Sequence, residues 1–209
     1  MKKEKISKRK IQAAETKNKI FETAKQLFKK NGFENVSVDS IVEEAGVSKG
    51  AFYVHFESKD VLAAILINDY VNEVDLDYKF FLDTIHTETP VSDILLSLVE
   101  KIADVITYTI GCDNIKVLYK AHLTKTINTD SAMNYNRDLY KLFSDVLSKG
   151  IQQEIFSPEM SVDMLTKHCI LAIRGLTYEW CIRYPNFDLK AQCLQHFEIL
   201  LNGIKKHCP

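Results

Sequence analysis

Lys49, Gly50, Ala51, Tyr53, Val54 and His55 stand in one short stretch, with Ser37 and Ser48 before them and Lys59 after. These side chains suit nucleic acid. A lysine ammonium donates to guanine acceptors in a major groove, and an apolar side chain meets a thymine methyl. Phenol, imidazole and ammonium groups donate to phosphate oxygens, contacts that fix register without reading sequence. Tyr53, His55 and Lys59 are expected to do this, and Ser37 and Ser48 can reach phosphate from helix N-termini. Gly50 and Ala51 keep the approach to the duplex close.

Two short helices must position these groups. Ser37 and Ser48 each stand where an N-cap hydroxyl accepts from the orphan amides of a first helical turn. Val38, Ile41 and Val42 share one face at i, i+3 and i+4. Gly46 closes that helix in the left-handed conformation, and Val47 drops back onto the apolar face. In the next helix, Lys49 to Phe56, the i, i+4 pair Phe52 and Phe56 packs inward, which leaves Lys49, Gly50, Tyr53, Val54 and His55 outward. Geometry alone leaves two readings open, an ordinary helical hairpin or a DNA-reading helix-turn-helix.

The stretch GVSKGAFYVHFESKDVL resembles the TetR family of bacterial transcriptional regulators, whose pattern is G-V-S-x-G-x-x-Y-x-H-F followed by a lysine and an apolar helix. Upstream, IFETAKQLFKKNGFENVSVDSIVEEAGV is similar to that family's first two helices, so the resemblance covers about residues 14 to 74. It implies that Ser37, Ser48, Tyr53 and Lys59 occupy phosphate-contacting positions and that Lys49, Gly50 and Val54 lie where such proteins approach bases. His55 matches the family's usual histidine. At position 51, where many relatives have threonine or serine, this chain has Ala51, which removes a hydroxyl contact and bears on the operator sequence.

Charge follows the same division. The chain carries a net charge of −1, but residues 1–60 hold thirteen Lys or Arg against nine Asp or Glu, leaving the remainder acidic. The first residues, MKKEKISKRK, lack apolar periodicity and read as a flexible basic arm over 1–13, able to add phosphate or minor-groove contacts. They are too polar for a secretory signal, and no run is long and apolar enough for a membrane span. A cytoplasmic protein is expected. Five cysteines, Cys112, Cys169, Cys181, Cys193 and Cys208, form no CxxC pair and read as reduced core thiols.

The remaining sequence reads as helices. One carries Ile20, Ala24, Leu27 and Phe28 and ends at Gly32; another starts at Ser58 and runs past Val74 towards Phe81. In the resembling family the latter links head to sensor. After a break at His86 to Pro90, helices are expected over Val91 to Ile110, Asn114 to Ile127, Ser131 to Ile155, Ser161 to Arg183 and Asp188 to Lys206, with one break at Phe156-Ser157-Pro158. The expected fold is all-α: a three-helix helix-turn-helix DNA-binding head over 14–74, with the helix-turn-helix itself at about 37–56, and a larger helical ligand-binding and dimerisation domain over 75–209. The resemblance implies a homodimer through the last two helices, which fits the spacing of about 34 Å between successive major-groove half-sites.

Function is therefore expected to be ligand-responsive transcriptional regulation: a dimeric repressor that leaves a palindromic double-stranded operator when a small apolar or aromatic effector binds. Tyr108, Tyr119, His122, Tyr178 and Trp180 fall on helices where a family pocket is lined. Sensor alternatives rest on other residues. Cys193 with His196, or His168 with Cys169, supplies two metal ligands without a third. His122 or His86 offers an imidazole to haem. Cys112, in a loop after a glycine, is the best redox candidate of the cysteines. No metal site, cofactor or catalytic residue is expected, because no phosphate-binding Gly-rich loop, G-x-S-x-G elbow or dense carboxylate cluster occurs. An enzyme bearing a DNA-binding head is the weaker reading.

Overall fold

A computed structural model of the chain describes residues 2–33, 35–157 and 159–205. Met1 of the expected arm, Pro158 of the expected break, Lys206 at the end of the last expected helix, and Cys208 lie outside the described residues. All named elements are helical, and no β-strand occurs among the described residues. No described helix is long and apolar enough to cross a membrane.

The chain divides into two compact units. The first runs to Asn68 and also takes in Lys116–Thr129; the second comprises Asp69–Ile115 and the chain from Asp130 onward. Sequence reading expected a continuous head over 14–74, whereas the observed unit recruits a distant segment.

In the first unit, α1 (Lys2–Asn31) is a single helix of 30 residues. The expected flexible arm over 1–13 is therefore helical from Lys2. No Gly or Pro occurs before Gly32, and Lys, Arg, Glu, Gln and Ala all favour helix; charge without an apolar stripe leaves a helix exposed but does not melt it. Gly32 ends α1 at φ 77°. Then come α2 (Val38–Ala45), α3 (Lys49–His55) and α4 (Lys59–Asp83), which continues into the second unit. Their shared core joins Ile20 and Ala24 of α1, Ile41 and Val42 of α2, Phe52 and Phe56, and Leu62 and Leu66 of α4. A second cluster packs Phe33, Ala63 and Ala64 with Val117 and Ala121, which lie on α6 (Cys112–Thr124). Lys120 on the same helix donates to Asp60 Oδ2 at 3.0 Å. These contacts are why Lys116–Thr129 belongs with the head.

In the second unit, α5 (Val91–Asp104) continues as a π-helical stretch, Val105–Ile110, stopped by Gly111 at φ 84°. The helix expected over Ser131 to Ile155 is two pieces, α7 (Asp130–Met133) and α8 (Asp138–Gln152). Between them the Asn134 side chain accepts from the Asn136 amide at 2.8 Å, a local turn that competes with the helical ladder. Then follow α9 (Val162–Arg183), capped by Ser161, and α10 (Leu189–Ile204), capped by Asp188. Leu95, Leu98, Phe143, Leu147, Cys169 and Phe197 are fully buried between these helices.

This unit also contains a buried ion pair. Arg137 forks onto Asp75 of α4, with Nε donating to Oδ2 at 2.8 Å and Nη2 to Oδ1 at 2.6 Å, while the Leu139 amide donates to Oδ2 at 3.2 Å. Asp75 is 3% exposed. A carboxylate so far from water is stable there because it is both paired and hydrogen-bonded.

Candidate nucleic-acid interface

The turn between α2 and α3 is built from local bonds. Ser37 Oγ accepts from the Ser40 amide at 3.0 Å, and Ser40 Oγ accepts from the Ser37 amide at 3.0 Å, so both ends of a capping box are closed. At the other end Gly46 sits at φ 60° and ψ 41°. Its amide donates to Glu43 O at 3.0 Å and that of Val47 to Val42 O at 3.0 Å, the paired bonds of a Schellman ending. A side chain at position 46 would find space, its Cβ lying 3.6 Å from Lys19 Nζ, so the requirement for glycine is torsional. Gly46→Ala is expected to cost about 1–2 kcal/mol, the penalty for an L-residue in the left-handed region, measured as a lower urea midpoint at unchanged slope.

Ser48 caps α3, its Oγ accepting from the Ala51 amide at 3.1 Å, and its hydroxyl hydrogen remains able to donate outward. Phe52 and Phe56 are buried with ring centroids 5.7 Å apart, and they anchor the helix through its inner face. Lys49, Gly50, Tyr53 and Val54 face outward as expected, whereas His55, expected beside them, is half-buried. Ser37, Ser48, Lys49, Gly50, Tyr53 and Val54 are exposed, and Ala51, His55 and Lys59 are half-buried. Val54 is 78% exposed, so its apolar side chain is open to contact from outside. The Tyr53 ring stands edge-on to Phe52 at 5.3 Å, which directs the phenol from a packed base.

Two of the lysines have partners that sequence reasoning missed. Lys49 Nζ lies 2.7 Å from Asp39 Oδ1 on α2, and this hydrogen bond raises the lysine's pKa above its ordinary value. Lys59 Nζ donates to Phe33 O at 3.0 Å and sits 4.0 Å from the centroid of the Phe33 ring. Lys59 thus ties the start of α4 to the end of α1, with further donors left over for a phosphate. Neither contact has a signal in spacing, since each joins residues on different elements.

The expected effector residues occupy unlike surroundings. Tyr108 is 79% exposed on the π-helical stretch, and Tyr178 is also exposed. Trp180 is buried, edge-on to Tyr184 at 5.7 Å. His122 and Tyr119 belong to the first unit, where His122 Nδ1 is hydrogen-bonded to Thr129 Oγ1 at 2.5 Å.

The cysteine readings change as well. Cys112 was expected in a loop and is instead a buried first residue of α6, because the helix starts directly after Gly111. Burial pushes the thiols of Cys169 and Cys193 up to about 12, so both are protonated at neutral pH and poor nucleophiles. Among the described residues, no group of three or more His, Cys, Asp or Glu side chains is placed to hold a metal ion.

Comparison with known proteins points the same way as the geometry. The family described as bacterial regulatory proteins, tetR family, matches residues 20–65. The HTH-type transcriptional regulator AcrR of Shigella flexneri is 26% identical over 204 residues, covering 93% of this chain and 91% of that protein. Among solved structures, a TetR-family transcriptional regulator from Pectobacterium atrosepticum superposes with a TM-score of 0.68 at 18% identity, covering 95% of this chain and 98% of that one. The regulator FadR from Bacillus subtilis, in complex with stearoyl-CoA, does so with a TM-score of 0.62 at 18% identity, over 89% and 98% of the respective chains. At such identities the structural likeness speaks for the fold.

Proposed function

This chain belongs to the TetR family of bacterial regulatory proteins, and from that premise we propose that it is a homodimeric repressor whose α3 reads a palindromic operator and is released by a small apolar or aromatic effector. It is a ligand-responsive, DNA-binding transcriptional regulator. The observation that carries the proposal is the outer face of α3, where Lys49, Gly50, Tyr53 and Val54 are exposed on a helix fixed by its cap and its two buried phenylalanines. Lys49, Gly50 and Val54 read bases, whereas Tyr53, His55, Lys59 and the two capping serines hold the phosphate backbone.

Dimerisation is supported by α9. Met164, Leu171, Tyr178 and Ile182 are exposed on it at spacings of seven, seven and four, which places them along one helical face. Ile199 is exposed on α10, and around Gly175 and Gly203 there is open space into which a second helix can come close. A second copy is the partner that also supplies the second half-site reader. An apolar effector suits the second unit because, among its described residues, the buried polar side chains are Thr166, Thr177 and an Asp75 already paired with Arg137. No catalytic step enters this proposal.

The test is fluorescence anisotropy of the purified protein with the DNA flanking its own gene and with a random-sequence duplex. Salt-sensitive, sequence-preferring binding is expected, with Tyr53→Phe weakening both by about 1.5 kcal/mol, close to tenfold, since a phosphate contact is lost on any sequence. Binding to neither duplex, or equal binding to both, would defeat the reading.

A further inference from the structure

We infer that Asp39 is a positioning residue for sequence discrimination: its carboxylate on α2 pins the Lys49 ammonium over the outer face of α3 and so withholds that charge from the phosphates of non-cognate DNA. The inference rests on the reading that α3 faces the duplex. Lys49 and Asp39 lie on successive helices joined by the Gly46 turn, their charged atoms 2.7 Å apart, with side chains 54% and 71% exposed. Neither is needed for the core, since the packing of α2 and α3 rests on Ile41, Val42, Phe52 and Phe56.

Three physical facts give the pair its effect. A lysine head is a compact charge on a flexible stem, and unpinned it meets whichever phosphate oxygen is nearest. An ammonium has three donors, so one bond to Asp39 leaves two for a base edge, with the stem already ordered. An exposed ion pair is weak, so a second partner engages Lys49 at little cost. Asp39 therefore subtracts from attraction that every sequence offers and adds orientation that only the correct base rewards. Such discrimination works against the wrong partner as much as for the right one.

Four proteins decide it: wild type, Asp39→Asn, Lys49→Ala and the double variant. Each is titrated with the DNA flanking its own gene and with a random-sequence duplex at salt between about 50 and 200 mM. Asp39→Asn is expected to bind the random duplex about three- to fivefold tighter. Its salt slope on that duplex should steepen by about 0.9, one more phosphate neutralised. Affinity for the flanking DNA should rise less, so the ratio of the two falls. In the Lys49→Ala background the same substitution should change neither affinity nor slope.

If Asp39→Asn tightens the random duplex equally with and without Lys49, Asp39 is a plain repulsive charge and the inference fails. It fails too if both DNAs gain alike, or if nothing changes. A wild-type protein with no salt-sensitive binding to either duplex overturns the reading of α3 itself, and this inference with it. Unfolding midpoints of the four proteins separate these outcomes from a simple loss of fold.

Discussion

Arg137→Ala should lower the stability of the protein by about 3–5 kcal/mol, the cost of removing one partner from a buried ion pair. The guanidinium supplies the two shortest bonds to Asp75, at 2.6 and 2.8 Å, and its loss leaves the carboxylate with the Leu139 amide at 3.2 Å. Asp75 cannot turn to water from a position that is 3% exposed. Chemical unfolding in urea checks this as a fall in midpoint at similar slope. Arg137→Lys should recover only part of the loss, because a single ammonium cannot reproduce a fork that meets both carboxylate oxygens. Replacing both partners, as in Asp75→Leu with Arg137→Met, should be far milder than either truncation, since no orphan charge remains. A midpoint in Arg137→Ala equal to that of wild type would mean that the pair does not hold α4 to the start of α8.

The second large effect is expected at Gly150 on α8. A Cβ there would lie 2.2 and 2.3 Å from Cδ2 and Cε2 of Phe156 and 3.1 Å from Cγ1 of Val91. The Phe156 ring is fully buried, and its backbone is held by the bond from its amide to Gly150 O at 3.2 Å and by the neighbouring Ser157 amide on Ile204 O at 2.8 Å. Two terms oppose each other in Gly150→Ala. Helix propensity favours alanine by about 1 kcal/mol. Overpacking costs about 1–3 kcal/mol, and a contact this short against a ring with no free direction belongs at the upper end or above it. The melting temperature should therefore fall, at about 2–4 °C per kcal/mol for a chain of this size. Phe156→Leu, destabilising alone, should lose less in the Gly150→Ala background, a coupling that a double-mutant cycle reads directly. A melting temperature that rises in Gly150→Ala would show that the close approach of α8 to Phe156 is not made.

How far these features were legible in the sequence depends on the range of the interaction. The capping serines, the left-handed Gly46 and the inward Phe52 and Phe56 follow from neighbours within a turn or two, and they appear in the structure as the spacing suggests. The split between α7 and α8 is also local, yet it hangs on one Asn134 side chain turning back to its own backbone, which composition does not distinguish from a helical asparagine. The basic arm was misread because lack of apolar periodicity says what a helix will not bury, and not whether it forms. Partners from separate elements left no trace at all: Asp39 for Lys49, the Phe33 carbonyl for Lys59, Arg137 for Asp75. The side chains proposed for an effector pocket show the same limit, since an aromatic at helical spacing looks the same whether it ends buried like Trp180 or exposed like Tyr108.

The recruitment of Lys116–Thr129 into the first unit has a consequence for taking this protein apart. Its modules do not follow the order of the chain. A fragment cut at residue 68 or 74 would carry every helix of the DNA reader and still lack Val117 and Ala121, leaving Phe33, Ala63 and Ala64 uncovered and Asp60 without Lys120. A chimera that grafts this reader onto another sensor must transplant two pieces, and a deletion in the second piece is a lesion of the first. Evolution by exchange of whole heads would meet the same constraint: the cut that is simplest in the gene passes through a packed surface of the protein.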